Sequence, residues 1–158
     1  MRVTDCHTDS MRQYARFGFW GDSVSAAAIT ERLGMEPDKV LVRGSRRANP
    51  PRPVQHAWEL TCDQPRQRVE DLVAELLGRL APHLDGIEAL ATELHTTNTG
   101  AATLRIVRNF DTDQDEGSDD DGRPSPGLES QLLGWHLDTN VIAFLHRTRA
   151  SIDIDEYP

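Results

Sequence analysis

Cysteine is scarce in this sequence: Cys6 and Cys62 are the only two in 158 residues. That is too few for a disulfide framework or a four-thiolate zinc site, so both thiols are expected to be reduced. Long apolar runs are missing too. No stretch approaches the roughly 20 residues of a membrane-spanning helix, and the first twenty residues lack the basic-then-apolar order of a secretory signal. The expectation is a cytoplasmic chain with no membrane partner. Lysine occurs once against sixteen arginines, and the 17 basic residues face 26 acidic ones, for a formal charge of -9. A surface of that sign repels phosphate backbones, so no nucleic-acid partner is expected. Familiar catalytic signatures are absent as well: there is no nucleophile elbow, Walker loop, dinucleotide fingerprint or HExxH. The six histidines (His7, His56, His83, His95, His136, His146) never fall at zinc-ligand spacing, so neither a metal nor a cofactor is expected.

What the sequence does have is material for one core: 37% of it is hydrophobic, enough for a single domain. Residues 1–12 show no periodicity and are expected as a flexible tail, with one domain over 13–158. Tyr14 to Trp20 alternates as a strand, Ala15, Phe17 and Phe19 on one face and Tyr14, Arg16 and Trp20 on the other. Ala26, Ile29 and Leu33 then follow a helical period, with Ser23 or Ser25 to cap it and Gly34 to close it. Lys39 to Arg43 reads as a short strand. The proline- and arginine-rich stretch 44–55 reads as an extended, exposed loop. His56 to Cys62 resumes alternation.

The clearest helix runs from about Pro65 to Leu80, where Val69, Leu72, Val73, Leu76, Leu77 and Leu80 form an apolar stripe. Asp63 is its expected cap and Pro82 its expected stop. Ala89 to Thr97 and Ala101 to Phe110 are expected to be the arms of a hairpin around Asn98-Thr99-Gly100. Residues 111–127 are expected as an acidic disordered loop, with seven carboxylates among the eleven positions from Asp111 to Asp121. Leu132 to Leu137 is read as a strand, Asp138 or Thr139 as the cap of a helix bearing Val141, Ile142, Phe144 and Leu145, and Ala150 to Tyr157 as the last strand. Together these elements predict an α+β fold: helices packed on one face of a mostly antiparallel sheet, a ferredoxin-like plait with additions.

In order along the chain, Phe17, Phe19 and Gly21, Ile29-Thr30, Leu33-Gly34 with Pro37, Gly44, Trp58 with Leu60, the leucine-rich helix, and Ile152-Asp153-Ile154-Asp155 with Tyr157 form a pattern. It resembles the bacterial domain of unknown function family 4279 over about residues 14–157. The resemblance implies the fold and carries no activity, substrate or catalytic residue.

Four groups of residues invite a chemical reading. Asp111, Asp113 and Asp115 match the first ligand positions of an EF-hand loop, but Glu116 stands where the turn needs glycine and Gly122 where a bidentate glutamate is required, so calcium is not expected. Ser151, Asp153, Asp155 and Tyr157 share one face of the last strand, where the carboxylate spacing suits a metal, an acid/base pair or simply a solvated face. Cys62 as a nucleophile would need a histidine partner and a lowered pKa. Arg46 and Arg47, with Arg43 and Arg52, make a cationic patch on an anionic protein, suited to a carboxylate or phosphate.

The reading favoured by this inventory is a noncatalytic protein-binding module of immunity or accessory type. Its acidic surface would steer it toward a basic protein partner, with Trp20 and Trp135 as anchors. The alternative is a small-ligand-binding protein or enzyme with a pocket near the arginine-rich loop and the C-terminal strand, using Arg46, Arg47, His56, Asp153 and Asp155. A third reading is a homodimer paired through a free sheet edge.

Overall fold

The computed structural model describes residues 13–64, 67–109 and 134–157. The expected tail at 1–12 and acidic loop at 111–127 lie outside them. Five strands form one sheet: β1 (Gln13–Gly21), β2 (Lys39–Leu41), β3 (His56–Cys62), β4 (Gly100–Asn109) and β5 (Ser151–Tyr157), in the spatial order β2-β3-β1-β4-β5. Every pairing is antiparallel except β4 with β5. That parallel pair needs a crossover, and a helix supplies it. Among the described residues the α-helices are α1 (Ala26–Leu33), α2 (Val69–Leu80), α3 (Leu84–Thr97) and α4 (Thr139–Thr148). The chain is thus an α+β domain with a mostly antiparallel sheet. Among the described residues no helix is long and apolar enough to cross a membrane.

Alternation in β1 decides which face is covered. Phe17 lies opposite Leu60 and Leu104, and Phe19 opposite Trp58 and Ala102, so three adjacent strands present their large apolar residues to the same side. Helices cover that side. The stripe of α2 (Leu72, Leu76, Leu80) and that of α3 (Ile87, Leu90, Leu94) are buried in one cluster with these strand residues, each large side chain contributing about 1.5–3 kcal/mol. Phe17 meets Phe19 and Phe144 edge to face, with ring centroids 5.4 and 5.3 Å apart. The buried Trp58 indole keeps a hydrogen bond by donating Nε1–H to the Thr30 hydroxyl at 3.1 Å.

The helix ends follow their capping residues. Ser25 accepts a hydrogen bond from the Ala28 amide, and Gly34 closes α1 in the left-handed region at φ 64°. Asp138 caps α4 by accepting from the Asn140 and Val141 amides.

Five expectations need correction. Ala89–Thr97 is not a hairpin arm but the body of α3, whose Ile87, Leu90, Ala91 and Leu94 recur at helical spacing. Asn98 is its left-handed C-cap at φ 53°, so Asn98-Thr99-Gly100 leads from a helix into β4. Pro82 does not stop helical structure: it sits in a 3₁₀ turn, Ala81–His83, that runs directly into α3, where its missing N–H costs little. Asp63 is too far upstream to cap α2, which begins at Val69 after Arg68 and gains favourable helix-dipole charge from Glu70 and Asp71. The short strand stops at Leu41, and residues 134–138 form no strand; there Trp135 and Leu137 pack against the core instead. The rest of the strand expected at 132–137 lies outside the described residues.

Candidate functional site

With the described helices on one side, the other face of the sheet shows mainly polar and aromatic residues among those described. Successive rows across it read Lys39, Glu59, Gly18, Thr103 and Ser151, then Thr61, Arg16, Arg105 and Asp153, then Tyr14, Val107 and Asp155. Trp20 stands at one end of β1 and leans back over Gly18. A Cβ at Gly18 would come within 2.9 Å of the indole Cη2 and 2.6 Å of the Trp58 carbonyl oxygen, so only glycine lets the ring lie this close to the strands. Glu59, whose Cγ would lie 3.2 Å from the same Cβ, is only 3% exposed. Its carboxylate is held between Arg16 at 3.2 Å and Lys39 at 3.5 Å.

Beside Trp20 lies a shallow open groove of about 380 Å³, lined by Trp20, Gln55, Thr103, Arg105, Ser151, Ile152 and Asp153. Arg105 donates from both Nε and Nη2 to one oxygen of Asp153, at 2.9 and 2.7 Å, and its guanidinium carbon is 6.0 Å from the Trp20 ring centroid. The Thr103 and Ser151 hydroxyls are hydrogen-bonded at 2.8 Å. Partial burial works against the charge on Arg105, but the Asp153 hydrogen bonds and the charges of Asp153 and Asp155 outweigh it, and its pKa is raised. The groove therefore offers an aromatic wall, two hydroxyls, an amide and an ion pair. It is equipped to bind and orient a polar partner. None of its lining residues is a histidine.

A second cavity, about 180 Å³, lies between α2 and the start of α4 and is lined by Glu70, Val73, Ala74, Leu77, His136, Leu137, Asp138, Asn140 and Val141. It is mostly apolar, and its carboxylate is occupied: Glu70 pairs with Arg68 at 2.9 Å and lies 3.4 Å from His136. A third cluster ties β2, β3 and α2 together. Asp38 accepts two hydrogen bonds from Arg79, at 2.9 and 3.1 Å, and one from the Thr61 amide at 2.8 Å. Burial pushes the Asp38 carboxyl up, but the Arg79 and Thr61 hydrogen bonds together hold it below its ordinary value. Cys62 lies beside this cluster with its sulfur 3.9 Å from Arg79. The thiol is buried, and burial raises its pKa, the opposite of what a nucleophile needs.

The structure brings Trp20 and Asp153 into one groove, and Asp155 follows on the same face one row along β5. Arg46 and Arg47 are exposed in the loop that ends at Gln55, where Arg47 bridges Arg52 and its Nε donates to the Asn49 carbonyl. Trp135 is half-buried against the helical core and does not line the groove. Sequence reasoning set Ser151 on the face of Asp153 but overlooked Arg105, Thr103 and Gln55. The polar face of β4 was readable from its alternation, but the pairing of Arg105 with Asp153 spans 48 residues and depends on strand order.

A family model described as "Domain of unknown function (DUF4279)" matches residues 11–158, nearly the whole chain. No curated protein and no solved structure matches.

Proposed function

Because the chain belongs to the DUF4279 family, a family of unknown function, its role must be argued from its own site, and we propose that it is a noncatalytic protein-binding module of the cytoplasm. The observation that carries this reading is the open sheet face: a broad surface with Trp20 laid against Gly18 and with Glu59 and Asp153 held in ion pairs with Arg16, Lys39 and Arg105. A carboxylate fixed by a guanidinium is suited to positioning a partner and poorly suited to exchanging protons at neutral pH. An aromatic side chain ringed by polar groups is the usual make-up of an interface anchor. The net charge of -9 steers encounter toward basic proteins.

The test is affinity capture of a partner by the full chain at about 0.1 and 0.5 M salt, where screening shortens from about 10 Å to a few ångström, with Trp20→Ala as the comparison. A basic protein retained at low salt, and lost both at high salt and in Trp20→Ala, supports the module. Capture indifferent to both changes overturns it, as does turnover of a small metabolite that one polar substitution abolishes.

The second reading, a small-ligand site, is favoured by the groove's position between Gln55, at the end of the arginine-rich loop, and Asp153 of β5. Its volume of about 380 Å³ falls within the range of ligand pockets. Thermal stabilisation by a small polar compound, removed by Arg105→Ala, would select this reading.

A further inference from the structure

The sheet ends on β5, whose outer edge has no strand partner among the described residues. In a parallel pair, alternate residues direct their backbone N–H and C=O toward the neighbouring strand, so the others in β5 turn theirs outward. Natural edges are commonly blunted by short length, proline, a bulge or lysine. β5 is seven residues long and contains neither proline nor a basic residue. Its side chains have two characters. Ile152 and Ile154, 38% and 44% exposed, extend the row of Leu104 and Ile106 on the helix side, while Asp153 and Asp155 lie on the open side beside Arg105 and Val107. Asp155 has no ion-pair partner among the described residues, and one oxygen of Asp153 takes both Arg105 hydrogen bonds. The edge thus keeps acceptor capacity facing outward.

A second copy of the chain is a poor occupant. Antiparallel pairing about Ile154 would set Asp153 opposite Asp155 of the other copy, and like charges directly opposite one another are destabilising. Both copies also carry a charge of -9, and the same charges favour a cationic strand.

We propose that β5 is the docking edge for an extended segment of a partner protein that alternates basic and aliphatic residues and adds to the sheet as a sixth strand. Its aliphatic side chains cover Ile152 and Ile154, its basic ones reach Asp153 and Asp155, and its main chain takes the outward amides and carbonyls. The inference rests on reading the chain as a protein-binding module and names the chemistry of its partner. Ser151, Ile152 and Asp153 belong to both this edge and the Trp20 groove, so residues flanking the added strand reach Trp20.

The probe is a seven-residue peptide alternating lysine and valine, capped at both ends and titrated into the full-length chain while backbone amide resonances are followed. Expected are shifts centred on residues 151–157. N-methylation of one alternate set of peptide amides should weaken binding by about tenfold or more, and N-methylation of the other set by less than about twofold. Asp155→Lys, at a half-buried strand position, should also weaken binding by about tenfold, with an unchanged amide spectrum outside β5 showing that the variant is folded.

Equal sensitivity to both N-methylated sets, comparable binding of a glutamate–valine peptide, or no binding at all overturns the docking edge. None of these bears on the Trp20-dependent capture that tests the module itself. Hydrogen exchange of the free chain gives an independent check, because the outward β5 amides should exchange without protection. Protection of all β5 amides in the monomer would mean that the chain covers its own edge, and protection that grows with protein concentration would mean that a second copy does. Either outcome overturns the proposal.

Discussion

Gly18→Ala adds one methyl group at the place where the open face is most tightly built. That methyl would stand 2.6 Å from the Trp58 carbonyl oxygen, 2.9 Å from Trp20 Cη2 and 3.2 Å from Glu59 Cγ. Alanine has an advantage in the unfolded chain, where losing glycine's freedom is worth about 0.4–1 kcal/mol. Against this stands overpacking, typically about 1–3 kcal/mol. The Trp20 ring can swing outward, but the Trp58 carbonyl belongs to the β1–β3 ladder and cannot retreat without loosening the pairing of Phe19 with Trp58. Overpacking therefore wins, and the expected net loss is about 1–2 kcal/mol. For a chain of this size each kcal/mol lowers Tm by about 2–4 °C. Urea denaturation measures the loss, and iodide quenching of tryptophan fluorescence should rise as Trp20 lifts off. In Gly18→Ala/Trp20→Ala the indole overlap is gone while the backbone overlap remains, so Gly18→Ala should still destabilise in that background, by less than in the wild type. If Gly18→Ala matched the wild type in stability with quenching unchanged, the claim that Trp20 is seated by the missing side chain would be refuted.

Three further outcomes are expected. Asp38 has its pKa lowered on folding, so the stability it contributes is fully present above its unfolded value of about 4 and is lost as pH falls through the lower folded value. Denaturant unfolding from pH 7 to pH 2 should show the advantage of wild type over Asp38→Asn constant above about pH 5 and shrinking in acid; an advantage that grows in acid would contradict the Arg79 pairing. Phe144→Ala empties the site where α4 meets Phe17, with centroids 5.3 Å apart, and should cost about 3–5 kcal/mol in urea unfolding; a loss below about 1 kcal/mol would show that α4 is not part of the core. Cys62, buried and with its thiol pKa raised by that burial, should resist thiol reagents at pH 8 in the native chain and react within minutes in denaturant, as read by mass spectrometry of its peptide.

Much of the covered face was legible from one-dimensional pattern. β3 spans His56–Cys62 as its alternation predicts, and Ala15, Phe17 and Phe19 point inward together. α3 was not read, for a local reason. Beginning the hairpin arm at Ala89 separates Leu84 and Ile87 from Leu90, Ala91 and Leu94, and Thr96-Thr97-Asn98-Thr99-Gly100 imitates the chemistry of a hairpin turn. On the open face, alternation placed Trp20 and Asp153 among the outward residues but could not place them side by side, because the groove draws on β1, β4, β5 and the loop before β3. Glu59 sits at what alternation marks as a solvent position, yet it is buried, with Arg16 and Lys39 of the two flanking strands on its carboxylate. Information of that kind resides in strand register and not in any single segment.

The one-sided arrangement of the helices has a consequence for how this scaffold can diversify. Folding is secured almost wholly by the apolar side of the sheet, so the opposite side carries few obligations beyond the glycine seat and the charged trio of Glu59, Arg16 and Lys39. Substitutions at Thr103, Arg105, Ser151 or Asp153 can therefore accumulate at small energetic penalty, so the architecture can persist while the chemistry of this face changes.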